Sequence, residues 1–426
     1  MASGAAVHFI SMRAFSTSTS DSTSAPYTPV EVASQRHDDS GFVWLDSALH
    51  SSADSSDLSL IAGEPDLILE GNASEWPLLE QELERRKRLS PDLGTPDGAA
   101  IGYFRFDGSY RFGFYDSPLL HGAEGWIGAQ PDPEATAHRE EPRDAVASFP
   151  SFNPELEREA YLSMVRRAQE YVAAGDIYQV CLAHRFTAEF ADDPWPLYLA
   201  LREASPSPHA AYLSLGDETI LSSSPECFLK MSGRRILTRP IKGTRPRRRD
   251  PGEDEHQAFE LKTSPKEIAE LVMITDLERN DLGSVCVYGS VTATQLLHLE
   301  RFAQVFHLVS TVEGELRPEV SQVEALSACF PGGSISGAPK KRALEIIREL
   351  EPAPRGLFTG AIGYFGYNGE SQFNIAIRTV VIRDRRATFH VGAGITADSL
   401  PEKEWEETLH KAAGILQATQ AMKPTS

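Results

Sequence analysis

Ala361-Ile-Gly-Tyr-Phe-Gly-Tyr-Asn-Gly369 closely echoes a much earlier stretch, Ala100-Ile-Gly-Tyr-Phe-Arg-Phe-Asp-Gly108. Each reads as a strand followed by a turn. Two such units of one pattern, placed so far apart, predict that the two halves of the chain pair as similar subdomains around one core. A chance match of two common hairpin patterns is the competing explanation.

Outward from the first unit, residues 1–40 are expected to be a disordered N-terminal segment, because Ser and Thr dominate residues 16–24 and no long apolar period occurs. The first twenty residues lack acidic side chains and include Arg13, which suits either a transit peptide or a true chain start at Met12. Phe42-Val-Trp-Leu-Asp-Ser-Ala48 is the first expected strand and opens an N-terminal subdomain over 41–150. Residues 117–152 carry Pro, Gly and charge without period and read as a connection. A second domain is expected over 151–420. Asn153-Pro154 predicts an N-cap and first-turn proline for a helix with apolar Leu156, Tyr161, Val165, Ala168 and Val172, closed by Gly175.

The 426 residues suffice for one large core or several smaller ones, and 41% hydrophobic with 24% charged residues is ordinary globular composition. No run of about 20 apolar residues offers a membrane span. The formal charge of −20 argues against nucleic acid as a partner, since phosphate neutralisation needs surplus Lys and Arg. The one dense basic run, 245–249, is followed at once by Asp250, Glu253, Asp254 and Glu255. Cys181, Cys227, Cys286 and Cys329 form no CxxC pattern, which suits a reduced, cytoplasmic protein with small thiols.

Five patterns carry candidate chemistry. Thr238-Arg-Pro-Ile-Lys-Gly-Thr-Arg-Pro-Arg247 reads as a shaped basic loop, because two prolines and a glycine break any regular element. There Arg239 and Arg245 flank Lys242, and their charge would lower its pKa toward a nucleophilic free amine. Ser264-Pro-Lys-Glu267 and Ser399-Leu-Pro-Glu402 each start a helix as a capping box, with Glu267 and Glu270 on one face of the first and Glu404 and Glu407 on one face of the second. Four carboxylates suit a hard cation such as Mg²⁺; solvated helix faces are the plain alternative. Glu226, after Pro225 at the end of an apolar strand, would act as an acid if half-buried. Phe330-Pro-Gly-Gly-Ser-Ile-Ser-Gly-Ala-Pro339 is a glycine-rich helix entry whose N–H groups would hold an anion. Arg378, expected inside an apolar strand over 375–382, needs an anionic partner if buried.

These strings, with Lys266-Glu-Ile-Ala-Glu-Leu-Val-Met-Ile-Thr-Asp-Leu-Glu-Arg-Asn-Asp-Leu-Gly283 and Gly392-Ala-Gly-Ile-Thr-Ala-Asp-Ser399, resemble the chorismate-utilising enzymes from about residue 42 to 416. The resemblance implies an α+β fold, an α/β/β/α layered sandwich of two intertwined, internally similar subdomains, with the catalytic domain over 151–420. It implies Mg²⁺ held directly by Glu270 and Glu407 and through water by Glu267 and Glu404, and Glu226 as general acid. It implies chorismate lined by His307, Ser334, Tyr364, Arg378, Gly392, Ala393 and Gly394. Lysine at position 242 is the form of the loop found in aminodeoxychorismate synthases, whereas anthranilate synthases usually carry alanine. The implied activity is therefore component I of that synthase, making 4-amino-4-deoxychorismate through a Lys242-bound intermediate for 4-aminobenzoate and folate. Anthranilate synthase and isochorismate synthase are the alternatives. No Gly-x-Cys-x-Gly motif occurs, so a separate glutamine amidotransferase is the implied ammonia source. Leu45-Asp46-Ser47 resembles part of the family's tryptophan pocket. Cys181 stands where the family commonly has Asn, and Leu271 where it has His or Asn.

Overall fold

A computed structural model describes residues 27–48, 58–89, 94–132, 149–302 and 304–420. Two large antiparallel sheets form the centre. In spatial order the first runs Gly337–Ala338, Gln179–Glu189, Arg386–Ile395, Thr379–Arg383, Glu218–Ser224, His209–Leu215, Val43–Asp46, Ser59–Ala62, Leu119–Gly122, Gly125–Ile127. The second runs Ile241–Pro246, Val305–Glu315, Arg235–Arg239, Cys227–Ser232, Glu370–Ile375, Ala361–Gly366, Ala99–Phe104, Tyr110–Tyr115, Leu67–Gly71, with Thr292–Arg301 also on Val305–Glu315.

Strand alternation builds the layers. Ile101, Tyr103, Ile362 and Tyr364 of the second sheet share one buried cluster with Val43, Leu213 and Ile220 of the first, so this core lies between the sheets. The intervening residues Ala100, Phe104, Ala361 and Phe365 face the other way, against Trp76 and Leu79 of helix Trp76–Arg85 and Leu326 of helix Gln322–Cys329. On the outer face of the first sheet, helices Pro29–Arg36, Pro194–Ala204 and Pro401–Ala418 cover Phe186, Leu221 and Phe389. The result is the layered α/β/β/α sandwich.

The two echoing stretches are direct neighbours. Ala99–Phe104 pairs antiparallel with Ala361–Gly366, Gly102 opposite Gly363, Tyr103 opposite Ile362 and Ile101 opposite Tyr364, so the repeat meets itself about a local twofold at the glycines. Both glycines are required by close approach. A Cβ on Gly102 would sit 2.0 Å from Arg111 O, and one on Gly363 2.0 Å from Gln372 O.

Several expectations are corrected. Thr28 caps a helix over Pro29–Arg36 in a full capping box with Glu31, so part of the segment expected to be disordered is structured; residues 1–26 lie outside the described residues. Both sheets take strands from either side of position 150, so 41–150 and 151–420 are stretches of sequence that share two sheets. The expected connection contributes strands Leu119–Gly122 and Gly125–Ile127. Asn153-Pro154 is a short strand on Gln179–Glu189, and the helix runs Arg158–Ala173 from an N-cap at Glu157. The basic loop is two strands, Arg235–Arg239 and Ile241–Pro246, broken at Pro240 and bulged after Lys242. Pro is tolerated there because it falls at strand ends.

Candidate active site

Two crossings between the sheets build one wall of the site. The chain leaves the first sheet at Ser224, passes Pro225 and Glu226, and enters the second at Cys227; it returns from Ile375 through 376–378 to Thr379. Arg378 thus lies in a crossing, at φ 50°, not inside a strand. The crossings are tied to each other: Ser223 N–H donates to Arg378 O (3.1 Å) and Ile375 N–H to Glu226 O (3.0 Å). Glu226 is 5% exposed. Burial pushes its carboxyl above the ordinary value, against the opposing pull of Lys242 and of hydrogen bonds from the Ser334 side chain and the Ile241 backbone. Burial pushes the Arg378 guanidinium down, and Glu226 opposes this.

Lys242 lies opposite Leu308 in the strand pair, and its Nζ donates to Ser334 O at 2.9 Å. The next residue must be glycine: Gly243 has φ +73°, and a Cβ there would stand 2.6 Å from Leu261 Cδ1 and 3.0 Å from Glu267 Oε2. The flanking arginines do not depress the lysine. Arg239 pairs with Glu300, and Arg245 reaches toward Glu267 at 3.6 Å. Burial alone would lower the Lys242 amine, but Cys181, Glu226, Glu270 and Glu407 together outweigh it and hold the ammonium above its ordinary value. His307 sits beside this group, its Nδ1 2.9 Å from Thr244 Oγ1. Burial, aided by Arg378, pushes it down to about 3, so it is neutral.

The glycine-rich segment folds as a short turn, Gly333–Ile335, then pairs Gly337 with Val180. Its first N–H is not free for an anion: Gly333 donates to Glu278 Oε1 at 2.8 Å. Gly392, Ala393 and Gly394 lie in the next strand, opposite Ala183, Leu182 and Cys181. Tyr364 sits in the core between the sheets, and burial, with the charges of Glu370 and Cys227 adding to it, pushes its hydroxyl up. In the first sheet, Asp46 pairs with Arg202 (2.6 Å) and Ser47 Oγ donates to Leu58 O (3.1 Å).

The four glutamates come from facing helices, Pro265–Gly283 and Pro401–Ala418. Ser264 caps the first by accepting from Glu267 N–H, only half of the expected box; Leu400 holds the cap position of the second, while Ser399 Oγ accepts from Thr396 N–H. Lys266 Nζ lies 3.9 Å from Glu270 Oε1 and 3.8 Å from Glu404 Oε1. Burial pushes Glu270 and Glu404 up, and Glu407 adds to both. Burial also presses on Glu407, but Lys411, 2.7 Å away, holds it below its ordinary value. Glu404 Oε2 is buried with no hydrogen-bond partner. Repelling carboxylates and an unsatisfied oxygen are what a hard cation would relieve, so the donor chemistry fits Mg²⁺. Among the described residues no three or more acidic, His or Cys side chains converge tightly enough to hold a metal as they stand.

Lys266, Lys411 and Glu278 were not anticipated. The first two follow i,i+4 spacing to Glu270 and Glu407, a legible pattern. Glu278 falls on the buried stripe Leu271, Ile274, Thr275, Glu278, Leu282, which period counting along the helix would have found.

A family profile described as chorismate binding enzyme matches residues 42–417. The chain belongs to the chorismate-binding enzyme family. Anthranilate synthase component 1 of Synechocystis sp. is 48% identical over 282 residues, 64% of this chain and 56% of that protein. Aminodeoxychorismate synthase component 1 of Bacillus subtilis is 44% identical over 268 residues, 63% of this chain and 57% of that protein. These alignments span little more than half the length of either relative. The crystal structure of anthranilate synthase component I from Streptococcus pneumoniae TIGR4 superposes with a TM-score of 0.75 at 28% identity, covering 86% of this chain and 93% of that one. Among the described residues no helix of the chain is long and apolar enough to cross a membrane.

Proposed function

We propose that the chain is the chorismate-converting component of an aminodeoxychorismate synthase, turning chorismate and ammonia into 4-amino-4-deoxychorismate for 4-aminobenzoate and folate synthesis. The observation that carries this reading is the half-buried Lys242, its amine aimed at Ser334 O and faced by Glu226, Glu270 and Glu407. Once its ammonium has passed a proton to a neighbouring carboxylate, the amine can add to C2 of the substrate ring as the C4–O bond breaks. Glu226, whose carboxyl burial pushes above its ordinary value, gives its proton to the departing hydroxyl, which leaves as water. Ammonia then bonds to C4 as the C2–N bond to Lys242 breaks, so one hard allylic substitution becomes two easier ones. Arg378 and neutral His307 border the ring's negative side groups, Arg378 as a cation and His307 as a hydrogen-bonding group.

Glu270 and Glu407 would hold Mg²⁺, with Glu267 and Glu404 around it. Bound there, the ion would supply a seat for the ring carboxylate and neutralise charge that now favours the Lys242 ammonium. The ammonia would come from a glutamine amidotransferase partner. Four free cysteines suit the reducing cytoplasm.

A second reading, anthranilate synthase, is favoured by the relatives, since the Synechocystis and Thermus thermophilus proteins of that name reach 48% and 46% identity. Lysine at 242 weighs against it. The test of the mechanism is Lys242→Ala: aminodeoxychorismate formation is expected to fall at least about 100-fold. The intact mass of wild type quenched with chorismate should show an adduct that the variant lacks. An unchanged rate in the variant removes the nucleophile role.

A further inference from the structure

Behind the Lys242 group lies an ion pair that the mechanism above does not use. Arg355 is 4% exposed, and all five of its N–H donors are engaged. Nε donates to Glu351 Oε2 (2.9 Å); Nη1 donates to Ile335 O (3.1 Å) and Thr359 Oγ1 (3.0 Å); Nη2 donates to Glu351 Oε1 (2.7 Å) and Cys181 O (2.9 Å). Glu351 Oε1 also accepts from Ala183 N–H (2.8 Å), and the guanidinium lies 4.6 Å from the Phe106 ring centre. One planar cation thereby joins the glycine-rich turn, the first-sheet strand Gln179–Glu189 and the segment before Ala361.

Two of these grips sit next to the reacting group. Ile335 follows Ser334, whose carbonyl receives the Lys242 amine, and Cys181 Sγ lies 3.7 Å from that same carbonyl. Cys181 N–H in turn donates to Ser336 O (2.9 Å). A buried ion pair contributes little stability over an apolar replacement of the same volume, so stability alone does not account for it. A rigid fork with five donors holds five acceptors on three segments at once; a lysine ammonium, with three donors, cannot.

We propose that Arg355, locked by Glu351, is a positioning residue: it fixes the Ser334 carbonyl and the Cys181 edge of the site relative to Lys242. This rests on the reading that the surroundings of Lys242 are the active site. Arg355→Lys keeps the charge opposite Glu351 but releases Ile335 O and Cys181 O.

The test uses the full-length chain with two readouts: chorismate consumed in Mg²⁺ and ammonium, whatever the product, and the rate at which iodoacetamide alkylates Cys181 in the folded protein, read by peptide mass. In folded Arg355→Lys, kcat is expected to fall at least about tenfold with KM for chorismate within about threefold, because geometry and not binding is lost. Cys181 alkylation is expected to speed up at least about threefold as its strand edge loosens. A merely structural role would lower only the folded fraction. If Arg355→Lys does not fold, Glu351→Gln, which loosens the guanidinium on one side, is judged by the same two measurements. A folded variant with wild-type kcat, or with an unchanged Cys181 rate, overturns the proposal. Should wild type consume no chorismate, the functional reading fails, and the alkylation rate still decides whether Arg355 positions this edge.

Discussion

Lys242 shows how much of a residue's chemistry depends on neighbours that its sequence context does not name. Its flanking arginines turn to other acids, and its true surroundings come from positions 181, 226, 270 and 407. Strand alternation and the bulge at Gly243 decide this, and neither is visible while the stretch reads as a loop. Glu226 was more legible, because a carboxylate after a proline at a strand end is a natural crossing residue. Glu226→Gln, which keeps size but loses the proton, is expected to lower kcat about 100-fold or more. Wild-type activity should decline on the alkaline side as the raised Glu226 carboxyl ionises, a limb the variant should lack in its residual rate. Glu278 supplies a separate check. Burial pushes it up to about 7 from 4.5, so the stability of its neutral form is fully present below the lower value and is lost as pH rises through the upper. Glu278→Gln should therefore raise Tm more near pH 8 than near pH 5; equal shifts at both would contradict the assignment.

At the scale of elements, the internal repeat has a physical cause. Gly102 and Gly363 occupy equivalent places in two hairpins, each pressed against a carbonyl oxygen of the following strand, and the two strands pair with each other. Gly363→Ala is expected to cost about 1–3 kcal/mol or more in denaturant unfolding, because backbone and not a flexible side chain must move. A cost like that of an exposed glycine-to-alanine change would show that the strand pair is looser than described. Helix starts were less legible. Ser264 and Ser399 look alike in sequence, yet only the first caps; Ser399 turns back to Thr396 because the chain enters its helix one residue later, at Leu400. Arg378 was misread for a related reason. The apolar run over 375–382 is two strands in different sheets, and nothing in hydrophobicity marks a crossing between two buried layers.

The candidate site lies beside the crossings where the chain passes between the sheets, and the same packing buries several imidazoles. Burial pushes His184 down to about 4 and His390 to about 3 from 6.5, so both are neutral when folded and take protons more readily when unfolded. Stability from these histidines is present above about pH 6.5 and lost as pH falls, on the order of 1–2 kcal/mol each by pH 5. His390→Phe, stacking on Phe358 as His390 does, should lose less stability than wild type on acidification. The layered sandwich was legible because the family strings are dense and the internal repeat is long; which member of the family this is turns on one side chain. The most direct measurement is the product formed from chorismate, Mg²⁺ and ammonium. 4-Amino-4-deoxychorismate is the predicted result; anthranilate with pyruvate would contradict it.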